Sequence, residues 1–211
     1  MKNIIAIGAH FDDVDIGVGG TLAKLAAEKK NVYKITLTNN VTFSKKLSLN
    51  ISYRSSLIGS NKSSKILGTK EIKNPKVQEC SNLKYKKEIM QYIENIIYNK
   101  KIDTAFIHYD HDLNQDHIAA SEISKTATRH CKNVFMFQSN FYLSSKNFSP
   151  NFFVDITKYI EVKKKALKCY QKQHDRFGKL FEMNIERNKI YGFQSNCKYA
   201  EAFVSLKYLY E

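Results

Sequence analysis

Two stretches of the chain are apolar without alternation. Asn3 to Ala9 reads Asn-Ile-Ile-Ala-Ile-Gly-Ala, and Thr104 to Tyr109 reads Thr-Ala-Phe-Ile-His-Tyr. Runs of this kind suit parallel strands covered on both faces. After the first comes a Gly-containing turn, then a helix from Gly20 to Glu28 that Thr21 can cap, with Leu22, Leu25 and Ala26 at helical spacing. Val32 to Thr38 is the next strand, completing a strand, helix, strand unit. Ser52 to Leu67 predicts a second helix ending at Gly68, followed by a loop around Asn74 and Pro75. Tyr85 to Tyr98 is strongly amphipathic, with Ile89, Tyr92, Ile93, Ile96 and Ile97 on one face. After the second apolar run, a polar loop spans Asp110 to Asp116, and a helix follows from His117 to His130. Val134 to Phe137 predicts a fourth strand, Ile156 to Gln171 a Lys-rich helix, and Tyr199 to Tyr208 a strand. Arg176 to Cys197 is polar and carries no clear period. The order predicts one α/β domain over residues 1–211: Rossmann-like, with a mostly parallel sheet and helices on both faces. Such sheets bind ligands beyond the carboxyl ends of their strands.

Composition alters this picture little. The formal net charge is +14 over 211 residues. The lysines are spread along the chain and arginine occurs only at 54, 129, 176 and 187, so the charge reads as a basic surface and no nucleic-acid role is expected. No apolar run approaches a membrane span, and the apolar start is too short for a signal sequence, which together predict a cytoplasmic protein. No two of Cys80, Cys131, Cys169 and Cys197 have zinc-site spacing, so reduced thiols are expected.

Two loops depart from the average. His10-Phe11-Asp12-Asp13 follows the first strand directly, ahead of Gly17, Gly19 and Gly20. The glycines do not match a dinucleotide fingerprint and are expected to permit a tight turn and close approach of substrate to backbone. An imidazole and a carboxylate three positions apart can converge on one metal and leave Asp12 for a second task. Alone, the cluster suits helix capping equally well. The second loop, His108 to His117, gathers three of the six histidines and Asp110, Asp112 and Asp116. Together the loops suggest a mononuclear site of His, Asp and His. Three protein ligands leave one position open, the pattern of catalytic zinc, and a nearby unligated carboxylate then supplies a general base. These are the parts of a metallohydrolase.

With those residues in place, the chain resembles the PIG-L/LmbE-like family of zinc-dependent N-deacetylases. Ala9-His10-Phe11-Asp12-Asp13 is similar to the family's A-H-P-D-D, and Asp112 to His117 is similar to its second motif ending in D-H. Phe153-Val-Asp155-Ile-Thr157 with Lys163 and Tyr170-Gln-Lys-Gln173, and Tyr199-Ala-Glu201-Ala-Phe203, resemble two later motifs. The resemblance implies His10, Asp13 and His117 as ligands of one zinc per chain, and Asp12 as catalytic base. It implies Arg54, Asp112, Asp116, Arg187 and Glu201 on the substrate side. Phe11 replaces the usual Pro, and Val14 a frequent Glu. Asn114 stands where many members have a His thought to protonate the leaving amine or stabilise the oxyanion; Asn can donate a hydrogen bond but transfers no proton at neutral pH. That leaves Asp12 as a single proton shuttle, the favoured reading, or His111 as the acid.

The function implied is hydrolysis of an N-acetyl group from an amino sugar, in a nucleotide sugar or glycoconjugate precursor. A related N-acyl amidase or deformylase is the alternative, and a non-catalytic carbohydrate- or nucleic-acid-binding protein is the third reading. A homo-oligomer is compatible with all three.

Overall fold

The computed structural model describes residues 1–45, 49–140, 144–173 and 178–209. The chain runs β1 (Asn3–Gly8), α1 (Asp13–Ala27), β2 (Asn31–Thr36), β3 (Thr42–Ser44), β4 (Leu49–Ile51), α2 (Tyr53–Leu67), β5 (Lys70–Ile72) and α3 (Lys87–Asn99). It continues β6 (Thr104–His108), α4 (Gln115–Ala127), β7 (Asn133–Phe137), β8 (Phe152–Asp155), α5 (Ile160–Leu167, flanked by 3₁₀ turns), α6 (Gly178–Gln194) and β9 (Ala200–Lys207). Seven strands form one sheet in the order β5-β2-β1-β6-β7-β9-β8. The first five are parallel; β9 and β8 close the far edge antiparallel. β3 and β4 form a separate hairpin.

Alternation along β1 builds both layers of core. Ile5 and Ile7 pack with Ile35 and with Ile89, Ile93 and Ile96 of α3 and Ile123 of α4. Ile4 and Ala6 face the other way, onto Val14, Val18 and Leu22 of α1 and onto Phe106, Phe135 and Phe203. A third cluster joins Phe11 and Ile16 to Ile156, Ile160, Tyr170, Phe181 and Ile185, and so ties α1 to the C-terminal helices.

The structure revises several elements. α1 begins at Asp13, seven residues before the expected start, so the glycines lie inside a helix rather than in a turn. At Gly17 and Gly20 the missing side chain serves helix packing. A Cβ on Gly17 would fall 2.3 Å from Phe137, and one on Gly20 would fall 2.7 Å from Ile156. The unassigned polar segment contains α6; residues 174–177 lie outside the described residues. The expected helix over 156–171 is broken by 3₁₀ turns at both ends of α5. α2 starts and stops where its sequence signals stand, with Ser52 accepting from Ser55 N–H and Gly68 at φ 74°.

Candidate metal centre

β1 and β6 are neighbours, but their chains continue in opposite directions across the sheet, β1 to β2 and β6 to β7. The loops leaving their carboxyl ends therefore diverge and leave a crevice between them. His10 and Asp13 stand on one wall of it and His117 on the other.

The first wall is set by a short connection from Gly8 to the start of α1. His10 N–H donates to Asp13 Oδ2 at 2.7 Å, which fixes the turn and the carboxylate together. On the second wall, Asn114 caps α4 by accepting from Asp116 N–H at 2.9 Å, and His117 follows in the first turn. His10 Nδ1 lies 3.3 Å from Asp13 Oδ2 and 3.3 Å from His117 Nε2, and His117 Nε2 lies 3.2 Å from Asp13 Oδ1. Ligands about 2.0–2.1 Å from a tetrahedral zinc are separated by about 3.3–3.4 Å, so the three groups already have the spacing that one ion requires. Two imidazoles and a carboxylate also suit zinc chemically.

Each histidine keeps one nitrogen for this cluster because a carboxylate holds the other. His117 Nδ1 is 3.0 Å from Asp112 Oδ2, and His10 Nε2 is 3.0 Å from Asp116 Oδ2. Those carboxylates are held in turn. Asn140 Nδ2 donates to both Asp112 oxygens at 2.5 and 2.7 Å, and Ser81 and Leu83 N–H donate to Asp116 at 2.6 and 3.0 Å. Ser139 Oγ donates to Asp13 Oδ1 at 3.1 Å. Arg187 fixes the 138–140 loop through Gln138 Oε1, Gln138 O and Asn140 O at 3.1, 2.8 and 2.8 Å.

The electrostatics are those of a cation site holding protons. Burial alone would lower the His117 pKa, but the Asp13 carboxylate and the Asp112 hydrogen bond push it up to about 9. His10 behaves alike: burial opposes its protonation, and Asp13 and Asp116 raise it well above the ordinary imidazole range. Burial works to raise Asp13, yet His117, His108 and His10 hold it well below the usual carboxylate range. His108, stacked on His117 at 4.3 Å, is kept below its ordinary value by burial and by the His117 charge.

Several expected site residues sit elsewhere. Asp112 and Asp116, expected on the substrate side, are buried against the two histidines. Glu201 is 1% exposed. It pairs with Lys163 at 2.6 Å and accepts from Gly20 and Thr21 N–H, a buried structural network. Arg187 is spent on the loop that carries Ser139 and Asn140. His111 faces Asp110 at 3.6 Å and the Tyr109 ring at 5.5 Å rather than the cluster. Asn114 uses its carbonyl oxygen as a helix cap. Asp12 is 8% exposed at the N-terminus of α1, and its side chain does not cap the helix. Arg54 is exposed in the first turn of α2, next to Tyr53, whose ring lies 6.0 Å from Phe11. The sequence counts His108 only as one of its loop's three histidines and assigns no role to Ser139 or Asn140. The signal available for the last two was position alone, directly after the next parallel strand on the same side of the crevice.

The GlcNAc-PI de-N-acetylase (PIG-L) family matches residues 5–128, which span both walls of this crevice. The chain belongs to the PIG-L family. This is a family of deacetylases, and its match takes in His10, Asp12, Asp13 and His117. Among curated relatives of this PIG-L chain is the Escherichia coli (strain K12) protein called uncharacterized deacetylase YaiS. It is 28% identical over 180 residues, covering 81% of this chain and 91% of YaiS. Among solved structures, the N,N'-diacetylchitobiose deacetylase of Pyrococcus horikoshii, complexed with an inhibitor, superimposes with a TM-score of 0.79 at 20% identity, over 97% of this chain and 84% of that one. GalB, the 4-carboxy-2-hydroxymuconate hydratase of Pseudomonas putida KT2440, gives a TM-score of 0.82 at 16% identity, over 100% and 98% of the two chains. At these identities the two structures share the PIG-L fold alone with this chain. Their differing names show why the reaction has to be argued from residues and not from the fold.

Proposed function

We propose that this chain is a zinc-dependent N-deacetylase acting on an N-acetylated amino sugar, nucleotide-linked or in a glycoconjugate precursor, and releasing acetate and a free amine. Residues 1–211 act as one deacetylase domain in this reading, and the four free cysteines fit work in a reducing, cytoplasmic setting. The observation that carries the proposal is the convergence of His10 Nδ1, His117 Nε2 and the Asp13 carboxylate, each 3.2–3.3 Å from the next, with Oδ2 toward His10 and Oδ1 toward His117.

His10, Asp13 and His117 would hold the metal. Zinc bound there supplies a Lewis acid that polarises the amide carbonyl and makes water easier to deprotonate. Asp12 takes a proton from the attacking water as its oxygen bonds to the carbonyl carbon. The same carboxyl then gives that proton to the amide nitrogen, so the C–N bond breaks to a neutral amine and not to an amide anion. The placement of the alternatives supports one shuttle: Asn114 is engaged in capping and His111 is turned to Asp110. Asp112 and Asp116 keep the ligand imidazoles in one orientation through both steps. Arg54, exposed in the first turn of α2, would meet a sugar or its phosphate in this reading, and the +14 charge suits an anionic conjugate.

The test is acetate release from a panel of N-acetyl sugars and their nucleotide conjugates, with zinc-loaded and chelated protein. Zinc-dependent release from at least one class is expected. Zinc-loaded protein that releases no acetate from any of them would overturn the reading.

A further inference from the structure

Outside the triangle, a second cluster of metal-capable atoms shares His10. Ligand atoms of His10, Cys80 and Asp116 all lie within 4.8 Å of one another. His10 turns Nδ1 toward Asp13 and His117, and Nε2 toward Asp116. The second cluster is therefore on the opposite edge of the same imidazole. Cys80 reaches it on a pinned stretch of chain. Gln78 bridges to Thr38, Cys80 N–H donates to Asn39 Oδ1 at 3.1 Å, and Ser81 N–H donates to Asp116. The thiol is part-buried, 3.7 Å from Thr42 Oγ1 of the β3–β4 hairpin. Sequence spacing excludes a multi-cysteine zinc site, but it is silent on a single thiol brought to a histidine 70 positions away.

We propose that His10, Cys80 and Asp116 form a second cation site, selective for a thiophilic divalent ion such as cadmium or surplus zinc. A thiolate, an imidazole nitrogen and one carboxylate oxygen make a donor set that favours soft or borderline ions over magnesium or calcium. Uptake releases the Cys80 thiol proton and the His10 Nε2 proton to solvent, leaving His10 to bridge the two ions as an imidazolate. The incoming ion also replaces the Asp116–His10 hydrogen bond that orients the imidazole toward the first site, and its occupation slows the enzyme. The inference rests on His10 as a ligand of the first metal, but not on the nature of the substrate.

The experiment titrates cadmium into zinc-loaded protein and reads metal per chain together with the ultraviolet charge-transfer band of a cadmium–thiolate bond. Wild type should take up a second ion with the band, and the ion should protect Cys80 from alkylation by iodoacetamide. Cys80→Ser should keep its zinc but lose the band and the second ion. Asp13→Ala, which removes a ligand of the first site only, should retain the band. Wild type that stops at one metal, or a band that persists in Cys80→Ser, overturns the proposal. Loss of the band in Asp13→Ala overturns it too, because Cys80 would then serve the first ion. A wild type that binds the second ion but, when loaded with one zinc alone, releases no acetate from any sugar sinks the deacetylase reading and leaves this one standing.

Discussion

Two buried charge clusters touch α1, one at its start and one at its middle, and their difference separates a site from a scaffold. At the middle, Lys163 Nζ donates to Ile16 O, Asn188 Oδ1 and Glu201 Oε1 at 2.7, 3.0 and 2.6 Å. Glu201 also accepts from Gly20 and Thr21 N–H at 2.9 and 2.7 Å. Three ammonium protons meet three acceptors, and the buried carboxylate accepts three hydrogen bonds. One turn earlier Asp15 is similarly spent on Lys34, Ser63 and Tyr170. At the start of the helix, two imidazole nitrogens and a carboxylate converge within 3.3 Å, and the positive charge that Asp13 meets there is carried by histidine protons, which a metal ion can displace. A buried pair that closes on itself fixes structure; lone pairs that converge on one point ask for an ion.

Substitutions at the start of α1 should give the largest effects. His117→Ala removes one corner of the triangle and should abolish both bound zinc and turnover. Asp12→Ala should keep its zinc and lose about 10²–10⁴-fold in kcat, the usual cost of losing a general base. Metal analysis beside single-turnover acetate release reads both. Full zinc occupancy in His117→Ala would mean that this cluster is another closed network, and the contrast would collapse.

The middle cluster should respond in stability rather than chemistry. Glu201→Gln strands Lys163 as an uncompensated buried charge, at a cost of about 3–5 kcal/mol. The denaturation midpoint should drop steeply, while the folded fraction keeps its metal and its KM. A variant as stable as wild type but with a raised KM would return Glu201 to the substrate side.

A smaller, graded effect comes from protons competing with the ion. In the metal-free protein, His117 titrates at about 9, up from 6.5, and His10 is raised as well. Raised values mean that their contribution to folding is complete below about 6.5 and fades as pH climbs through about 9. Zinc must displace these protons, so its affinity should rise about tenfold per pH unit for each proton released across that window. Melting temperatures of chelated and zinc-loaded protein should therefore draw apart between pH 6.5 and 9. Curves that stay parallel would show that protons and metal do not share the site.

The distinction between the clusters was only half legible in the sequence. Continuous apolar runs announced β1 and β6, and the density of His and Asp after each announced the crevice. What stayed hidden depended on distant partners. Lys34 reads as one more surface lysine, and Lys163 as part of a later family motif without a role of its own, until Asp15 and Glu201 meet them in the core. Asp112 and Asp116 read as loop carboxylates until the fold turns them onto His117 and His10. β3, β4, β5 and β8 are three or four residues long, too short to show a period. α6 has a mixed polar surface because its contacts are shared between Phe181 and Ile185 in the core and the Asn188 and Arg187 hydrogen bonds.

The smallest effect decides the place of Asn114, which belongs by sequence to the reactive loop and by structure to the scaffold. Its Oδ1 accepts from Asp116 N–H, and its own N–H donates to Asp112 Oδ1 at 2.8 Å. The side chain thus starts the helix that carries Asp116 and His117. Removing a cap of this kind costs about 1 kcal/mol, and Ser or Asp restores most of it. Asn114→Ala should therefore lower stability by about that amount, with a modest fall in zinc affinity as the first turn of α4 loosens. Asn114→Ser and Asn114→Asp should recover both. If the amide instead touched the reacting groups, Asn114→Ser would keep stability and zinc but lose kcat, because a hydroxyl one bond shorter cannot reach the same atom. Stability, zinc affinity and kcat measured on all three variants therefore tell a cap from a catalytic amide.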